Sequence, residues 1–287
     1  MDRTMICQSS VSIIIPCYND GQYLPEAIAA AQSQTYSATE ILVVDDHSTD
    51  SHTLAVYDDL RRQGIQVLQT PPGKRGPAAA RNAGIAAAKG SYILPLDADD
   101  SIDATYIAKA VAILEGNPSI GICYCRAKFF GLKSGRWNLP PYTFENLLCG
   151  NIIFASALFR KADWVKVGGY DESLTLGLED YAFWLRLTAA GTGVHRLEEE
   201  LFSYRIKGKS RTAQMVAQNG HTQALDMVYA SCADIFARHA DILLRKISRL
   251  QCAEAQRTCL YSWRLISPLF RLEWFVRQII KRIVGRA

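Results

Sequence analysis

Three short apolar runs, each ending in an acidic or aromatic cluster, constrain this chain more than any other feature. Val11-Ser12-Ile13-Ile14-Ile15-Pro16 leads into Cys17-Tyr18, and Glu40-Ile41-Leu42-Val43-Val44 ends in Asp45-Asp46. Ser91-Tyr92-Ile93-Leu94-Pro95-Leu96 ends in Asp97-Ala98-Asp99-Asp100. Runs this short and this rich in aliphatic residues read as strands buried on both faces, as in parallel sheets. Helical patterns separate them: 21–35 with Pro25 near its first turn, 53–63 closed by Gly64, and the Ala-rich 77–88 closed by Lys89-Gly90. Ile65-Gln66-Val67-Leu68 is a further strand. The alternation predicts an α/β fold, with right-handed βαβ units and helices on both faces of the sheet. Ligands in such sheets bind outside the carboxyl ends of the strands. The three clusters should therefore converge on one rim.

The pattern changes after Ser101. A helix is expected over 104–115, a strand over 120–130, and a polar Gly/Pro loop over 131–141. Segment 145–159 contains Asn151-Ile152-Ile153, and Gly168-Gly169-Tyr170-Asp171 is a turn. A helix is expected over 180–190, a last strand over 200–205, and helical structure from 214 onward. Hydrophobic residues make up 49% of the 287, enough for a sizeable core, and a net charge of +4 is too mild to argue for a nucleic-acid partner. The eight cysteines form no CxxC pair, so they read as reduced core residues. Residues 1–10 show no signal-peptide pattern and no window has the length of a membrane span, which leads us to expect a cytoplasmic protein.

Asp97-Ala98-Asp99 places two carboxylates on one side of an extended segment. Hard divalent ions take such oxygens together with phosphate oxygens, and Mg²⁺ and Mn²⁺ accept the same set. A turn capped by aspartate is the plainer alternative. A second acidic pair at another strand end favours the binding site.

In order along the chain, VSIIIPCYN (11–19), VVDDHSTD (43–50), GPAAARNAGIAAAKG (76–90), LPLDADD (94–100) and VGGYDESLTLGLEDYAFWLRL (167–187) resemble the family 2 inverting glycosyltransferases of the GT-A fold. The resemblance runs from about Val11 to Arg205. It implies a Rossmann-like, mostly parallel sheet flanked by helices, with a helical C-terminal appendage. It divides the chain into an N-terminal extension (1–10), a catalytic domain (11–205) and a helical region (206–287). Within the catalytic domain, 11–100 is the nucleotide half and 101–205 the acceptor half. Carried over residue by residue, it implies that Pro16 and Tyr18 hold the base and Asp46 accepts its N–H. Arg81 lies on the nucleotide side, Asp97 meets the ribose or metal, Asp99 binds the metal, and Asp180 is the catalytic base. It also implies a nucleotide-sugar donor, a Mn²⁺ or Mg²⁺ cofactor, and a saccharide or lipid-linked saccharide acceptor.

Several alternatives stay open. Asp45 could cap the turn that follows it. Arg81 could be a surface charge, Asp180 a helix-capping acid, and Glu179 either an acceptor-orienting group or a solvated acid. Many relatives place a histidine near the metal or pyrophosphate after a Tyr-Arg strand end. Here Tyr204-Arg205-Ile206 is followed by Lys207, and His195 and His221 are the nearby alternatives. From Leu269 onward, an apolar helical face opposes Arg271, Arg277, Lys281 and Arg282. Two readings of 269–287 are balanced: peripheral contact with the inner face of a membrane, or packing on the catalytic domain or a second subunit as a homodimer. A nucleotide-sugar-binding module without catalysis would have no reason to keep Asp180. A sugar nucleotidyltransferase should carry a basic phosphate loop after the first strand, where Cys17-Tyr18-Asn19-Asp20-Gly21 has no basic residue.

Overall fold

The computed structural model describes residues 9–208 and 220–258. Strands β1 (Val11–Cys17), β2 (Thr39–Asp45), β3 (Gln66–Gln69) and β4 (Tyr92–Pro95) lie parallel in the order β3-β2-β1-β4. Helices α1 (Leu24–Gln32), α2 (Ser51–Arg62) and α3 (Pro77–Ala87) connect them. The aliphatic side chains of β1 are fully buried, as strands covered on both faces require. Ser12 is buried among them, and its hydroxyl accepts the Gly90 N–H at 2.8 Å, so the polar atom is satisfied. Helix α3 presses closely on this sheet. A Cβ at Gly84 would lie 2.5 Å from Ile14 Cγ2 and 2.9 Å from Val44 Cγ2. The small side of this Ala-rich helix is what allows the approach.

The second half begins with β5 (Ser101–Ile102) and α4 (Tyr106–Gly116). It continues with β6 (Ile120–Gly131), β7 (Gly135–Trp137), α5 (Phe144–Cys149), β8 (Leu158–Arg160), α6 (Lys161–Val167), α7 (Glu179–Ala189) and β9 (Gly193–Ile206). These strands extend the sheet to β3-β2-β1-β4-β8-β6-β9-β5, with β7 hairpinned onto β6. β8 runs antiparallel to both β4 and β6, while β6 and β9 are parallel, so the sheet is mixed beyond β4.

Departures from the expected elements have local causes. The last strand reaches back to Gly193 because its polar first half pairs with β6 across register shifts that hide the period of two. The loop expected over 131–141 contains β7, whose residues are mostly exposed and whose Trp137 stacks on Phe129. Segment 145–159 holds both α5 and the start of the short β8.

Beyond β9, α8 (Gly220–Ser231), α9 (Ala233–Arg238) and α10 (Ala240–Thr258) pack against α5 and α7 of the second half. Arg186 on α7 donates to Asp171 Oδ2 at 2.7 Å and to Ser231 Oγ at 2.6 Å. Phe144 on α5 meets the His239 ring edge-on. No helix among the described residues is long and apolar enough to cross a membrane. The helix expected over 269–287 lies outside the described residues. The six described cysteines carry no disulfide; Cys17, Cys123, Cys125 and Cys232 are buried, while Cys149 and Cys252 are exposed.

Candidate active site

Strand register brings the three sequence clusters together. Pro16 lies opposite Val44, Cys17 opposite Asp45, and Ile14 opposite Pro95. The strand ends are tied by Asp46 N–H to Cys17 O at 2.9 Å and Leu96 N–H to Ile14 O at 2.9 Å. Pro16, Tyr18, Asp46, Asp97 and Asp99 thus share one rim at the carboxyl ends of adjacent parallel strands. Asn19 shapes the first loop from a left-handed conformation (φ 52°). Its side-chain oxygen accepts the N–H groups of Thr49 and Asp50 at 2.8 and 2.9 Å, locking the loop after β1 to the loop after β2.

The two aspartates after β2 have different tasks. Asp45 Oδ1 accepts the Ser48 N–H at 2.7 Å, so Asp45 caps the turn. Asp46 Oδ2 accepts the Gly76 N–H at 2.7 Å, while its buried Oδ1 has no hydrogen-bond partner. An orphaned carboxylate oxygen on a rim is built to receive a donor. Tyr18, directly after β1, is 51% exposed.

Arg81 is not a surface charge. Its side chain is 3% exposed, and its two terminal nitrogens donate to Asp97 Oδ1 at 2.7 Å and Glu179 Oε1 at 2.6 Å. Burial alone would lower its pKa, but Asp97 and Glu179 together hold it well above the ordinary arginine value. Contact between Arg81 and the nucleotide side therefore runs through Asp97. Glu179 is likewise buried and paired rather than solvated.

Asp180 sits in the first turn of α7, after Leu178 in the left-handed region (φ 63°). A bulky residue there is strained, by about 1–2 kcal/mol, and such strain collects at functional sites. Leu178 holds the N-cap position without a side-chain cap, and Asp180 is a first-turn acid whose carboxylate still meets a helix N–H. Asp180 Oδ2 accepts from Asn151 Nδ2 at 3.0 Å, and its Oδ1 from the Tyr181 N–H at 2.8 Å. Burial, reinforced by the charge of Glu179 and opposed by Arg81 and Asn151, pushes the Asp180 carboxyl up to about 6. A carboxyl poised near neutrality suits a general base. Beside it, Asn151 Oδ1 is buried with no partner. Sequence reading missed Asn151's role because nothing in Gly150-Asn151-Ile152 marks it; only folding brings it to α7.

Lys207 closes the rim from β9. Its Nζ lies 2.8 Å from both oxygens of Asp20 and 2.9 Å from Asp99 Oδ2. Burial pulls this ammonium down, yet Asp20 and Asp99 outweigh it and keep Lys207 above the ordinary lysine value. Asp99 is itself raised by burial and by Asp97, with Lys207 acting against both. Asp100 points inward, is raised well above the usual range by burial and by Asp99, and accepts the Arg205 N–H at 2.9 Å. His195 pairs with Cys123 on β6 while Arg205 pairs with Phe130, seven residues further along β6, so His195 lies roughly 23 Å down the strand from Arg205. His221 lies on α8.

The oxygen donors of Asp97 and Asp99 have the right chemistry for a divalent ion, but their arrangement does not fit one. One oxygen of each is already taken, by Arg81 and by Lys207. An ion joining them would sit beside an ammonium. Among the described residues, no group of three or more His, Cys, Asp or Glu could hold a metal.

The family described as Glycosyl transferase family 2 matches residues 12–165. Chondroitin synthase of Escherichia coli is 27% identical over 189 residues, 64% of this chain. The match spans only 27% of that synthase's length. Among solved structures, Staphylococcus aureus TarS (residues 1–349, in complex with UDP-GlcNAc) superposes with a TM-score of 0.67 at 19% identity, covering 96% of this chain and 82% of that one. The mannosyltransferase PcManGT of Pyrobaculum calidifontis, in complex with GDP-Man and Mn²⁺, gives 0.62 at 18% identity, covering 97% and 85%. The shared architecture is the GT-A fold.

Proposed function

The chain belongs to glycosyl transferase family 2, and on that premise we propose that it is an inverting glycosyltransferase that moves a sugar from a nucleoside diphosphate sugar to an acceptor hydroxyl. The donor is a UDP-sugar, and the acceptor belongs to bacterial cell-surface polysaccharide or lipid-linked glycan synthesis. The observation that carries the reading is Asp180: a carboxyl raised to about 6, held by Asn151, and joined to the donor rim through Glu179, Arg81 and Asp97.

In this reading the base lies between the Tyr18 ring and the orphaned oxygen of Asp46, which accepts a pyrimidine N–H. Asp97 and Asp99 face the ribose and diphosphate. The acceptor hydroxyl reaches Asp180, with Asn151 Oδ1 available to a second hydroxyl. Asp180 takes the acceptor proton, the freed oxygen attacks the anomeric carbon, and the nucleoside diphosphate departs from the opposite face, which inverts the configuration. The chondroitin synthase among its relatives and the UDP-GlcNAc bound by TarS support a glycan product and a UDP-sugar.

A hydrolysis screen over a panel of nucleotide sugars, with and without Mg²⁺ and Mn²⁺, tests the proposal. One donor should be consumed well above the others, and product analysis should show inverted anomeric configuration. If no nucleotide sugar is bound or consumed, or if the configuration is retained, the reading fails.

A further inference from the structure

A subsite for a diphosphate needs positive charge, yet this rim is built from carboxylates. Among the described residues, three cations contact Asp97 or Asp99. Arg81 is enclosed by Asp97 and Glu179. Arg205 donates from Nε to Asp99 O, pairs with Glu26, and stacks on Tyr23 and Phe130 at 4.8 and 4.2 Å. Lys207 is different: its Nζ contacts three carboxylate oxygens at near-equal distance, bridging Asp20 on the β1 loop and Asp99 after β4. The same Nζ lies over Tyr23, 5.0 Å from the ring centroid, and the side chain is 12% exposed.

We propose that Lys207, held between Asp20 and Asp99, is the resident cation of the diphosphate subsite, so that nucleoside diphosphate binding needs no added divalent ion. An ammonium has three donors. Two of its three present contacts go to one carboxylate, Asp20. Releasing one of them frees a donor for a phosphate oxygen while Asp20 and Asp99 still hold the head group in place. Lysine binds phosphate as a point charge, which suits this one-donor transfer. The carboxylates that would otherwise repel the diphosphate become the anchors of its counter-charge.

The proposal rests on the donor reading above, and calorimetry on the full chain separates the two. UDP, dTDP and GDP, each with its monophosphate, are titrated in EDTA and in Mn²⁺ into wild type, Lys207→Met and Lys207→Arg. Wild type should prefer one diphosphate over its monophosphate in EDTA, with an affinity within about threefold of that in Mn²⁺. Lys207→Met should keep the monophosphate affinity, which reports intact folding, and lose about tenfold or more for the diphosphate in EDTA. Mn²⁺ should restore that loss, because Asp20 and Asp99 are then open to an ion. Lys207→Arg should keep most of the metal-free affinity. Wild-type binding that appears only with Mn²⁺, or Lys207→Met binding the diphosphate in EDTA like wild type, overturns the proposal alone. If wild type binds none of the nucleotides in either buffer, the donor reading falls and takes the proposal with it.

Discussion

Asp180 is the base of the proposed mechanism, and its surroundings oppose its charge. The folded protein holds its proton more tightly than an exposed aspartate, whose pKa lies near 3.8, and the shift reaches about 6. Between those values the folded state binds more protons than the unfolded state, so this group's contribution to stability declines as pH rises from about 4 to 6 and is level above. Catalysis runs the other way, since the base must be ionised. The kcat/KM profile should therefore rise with pH and level off above an apparent pKa near 6. Asp180→Asn should lower transfer by roughly 10²-fold or more, leave nucleotide affinity near normal, and melt slightly above wild type at pH 7. Transfer at the parental rate would remove Asp180 from the mechanism. Tyr18, directly after β1, is exposed on the rim. Tyr18→Ala should weaken nucleotide binding by about 1–3 kcal/mol, the usual scale for stacking a base on an aromatic ring. An unchanged dissociation constant by calorimetry would show that the ring does not touch the base.

Helix α3 joins the two halves of the sheet. Its close approach to β1 and β2 at Gly84 fixes its depth. From that depth Arg81 reaches Asp97 beyond β4 and Glu179 at the start of α7. Asn82, one residue on, accepts the Tyr170 N–H at 2.9 Å and donates to Tyr170 O at 2.9 Å, so the same turn of helix also holds the segment that leads to α7. The donor rim and the candidate base are thus positioned by one element. Arg81→Met would leave two carboxylates, one of them buried, without their shared cation. Breaking a buried pair this way costs about 3–5 kcal/mol, on the order of 10 °C in Tm for a domain of this size. Thermal unfolding should show that loss, with Arg81→Lys in between because one ammonium cannot reproduce the forked contact. A melting temperature equal to wild type would mean that α3 and α7 are held in place by other contacts.

At the scale of the whole molecule, the helices after β9 lock onto the catalytic half through Arg186, Asp171 and Ser231. The amphipathic stretch 269–287 lies outside the described residues, and its sequence motivates a separate prediction. At helical spacing its apolar residues would fall opposite Arg271, Arg277, Lys281 and Arg282. Each basic residue near an anionic surface is worth about 1 kcal/mol, and salt screens that attraction. The full chain should sediment with vesicles containing anionic lipid, less so as ionic strength rises. Replacing these four residues by glutamate should abolish the binding. Equal sedimentation of both proteins, or none by either at low salt, would assign the stretch to packing or to a second copy of the chain.

The sequence by itself determined the α/β alternation, the strand ends that form the rim, and the identity of the acidic clusters. Local signals suffice for these, because buried parallel strands are written as short aliphatic runs and their ends as polar punctuation. The family match over 12–165 agrees with that reading, and the shared fold agrees with the predicted architecture. Partnership was not legible. Arg81 could be read as a surface charge because a helix face is assigned by neighbours three and four residues away, whereas its partners lie 16 and 98 residues away. Asp45 and Asp46 are adjacent and alike in sequence, and only the positions of Ser48 and Gly76 separate the turn cap from the oxygen left open on the rim. Lys207 showed the same limit. The chain placed a lysine after Tyr204-Arg205-Ile206, but only the packing of β9 beside the first half set its ammonium between Asp20 and Asp99, 187 residues from the former. Charge pairing over such separations depends on distances of a few ångströms that the tertiary structure alone supplies.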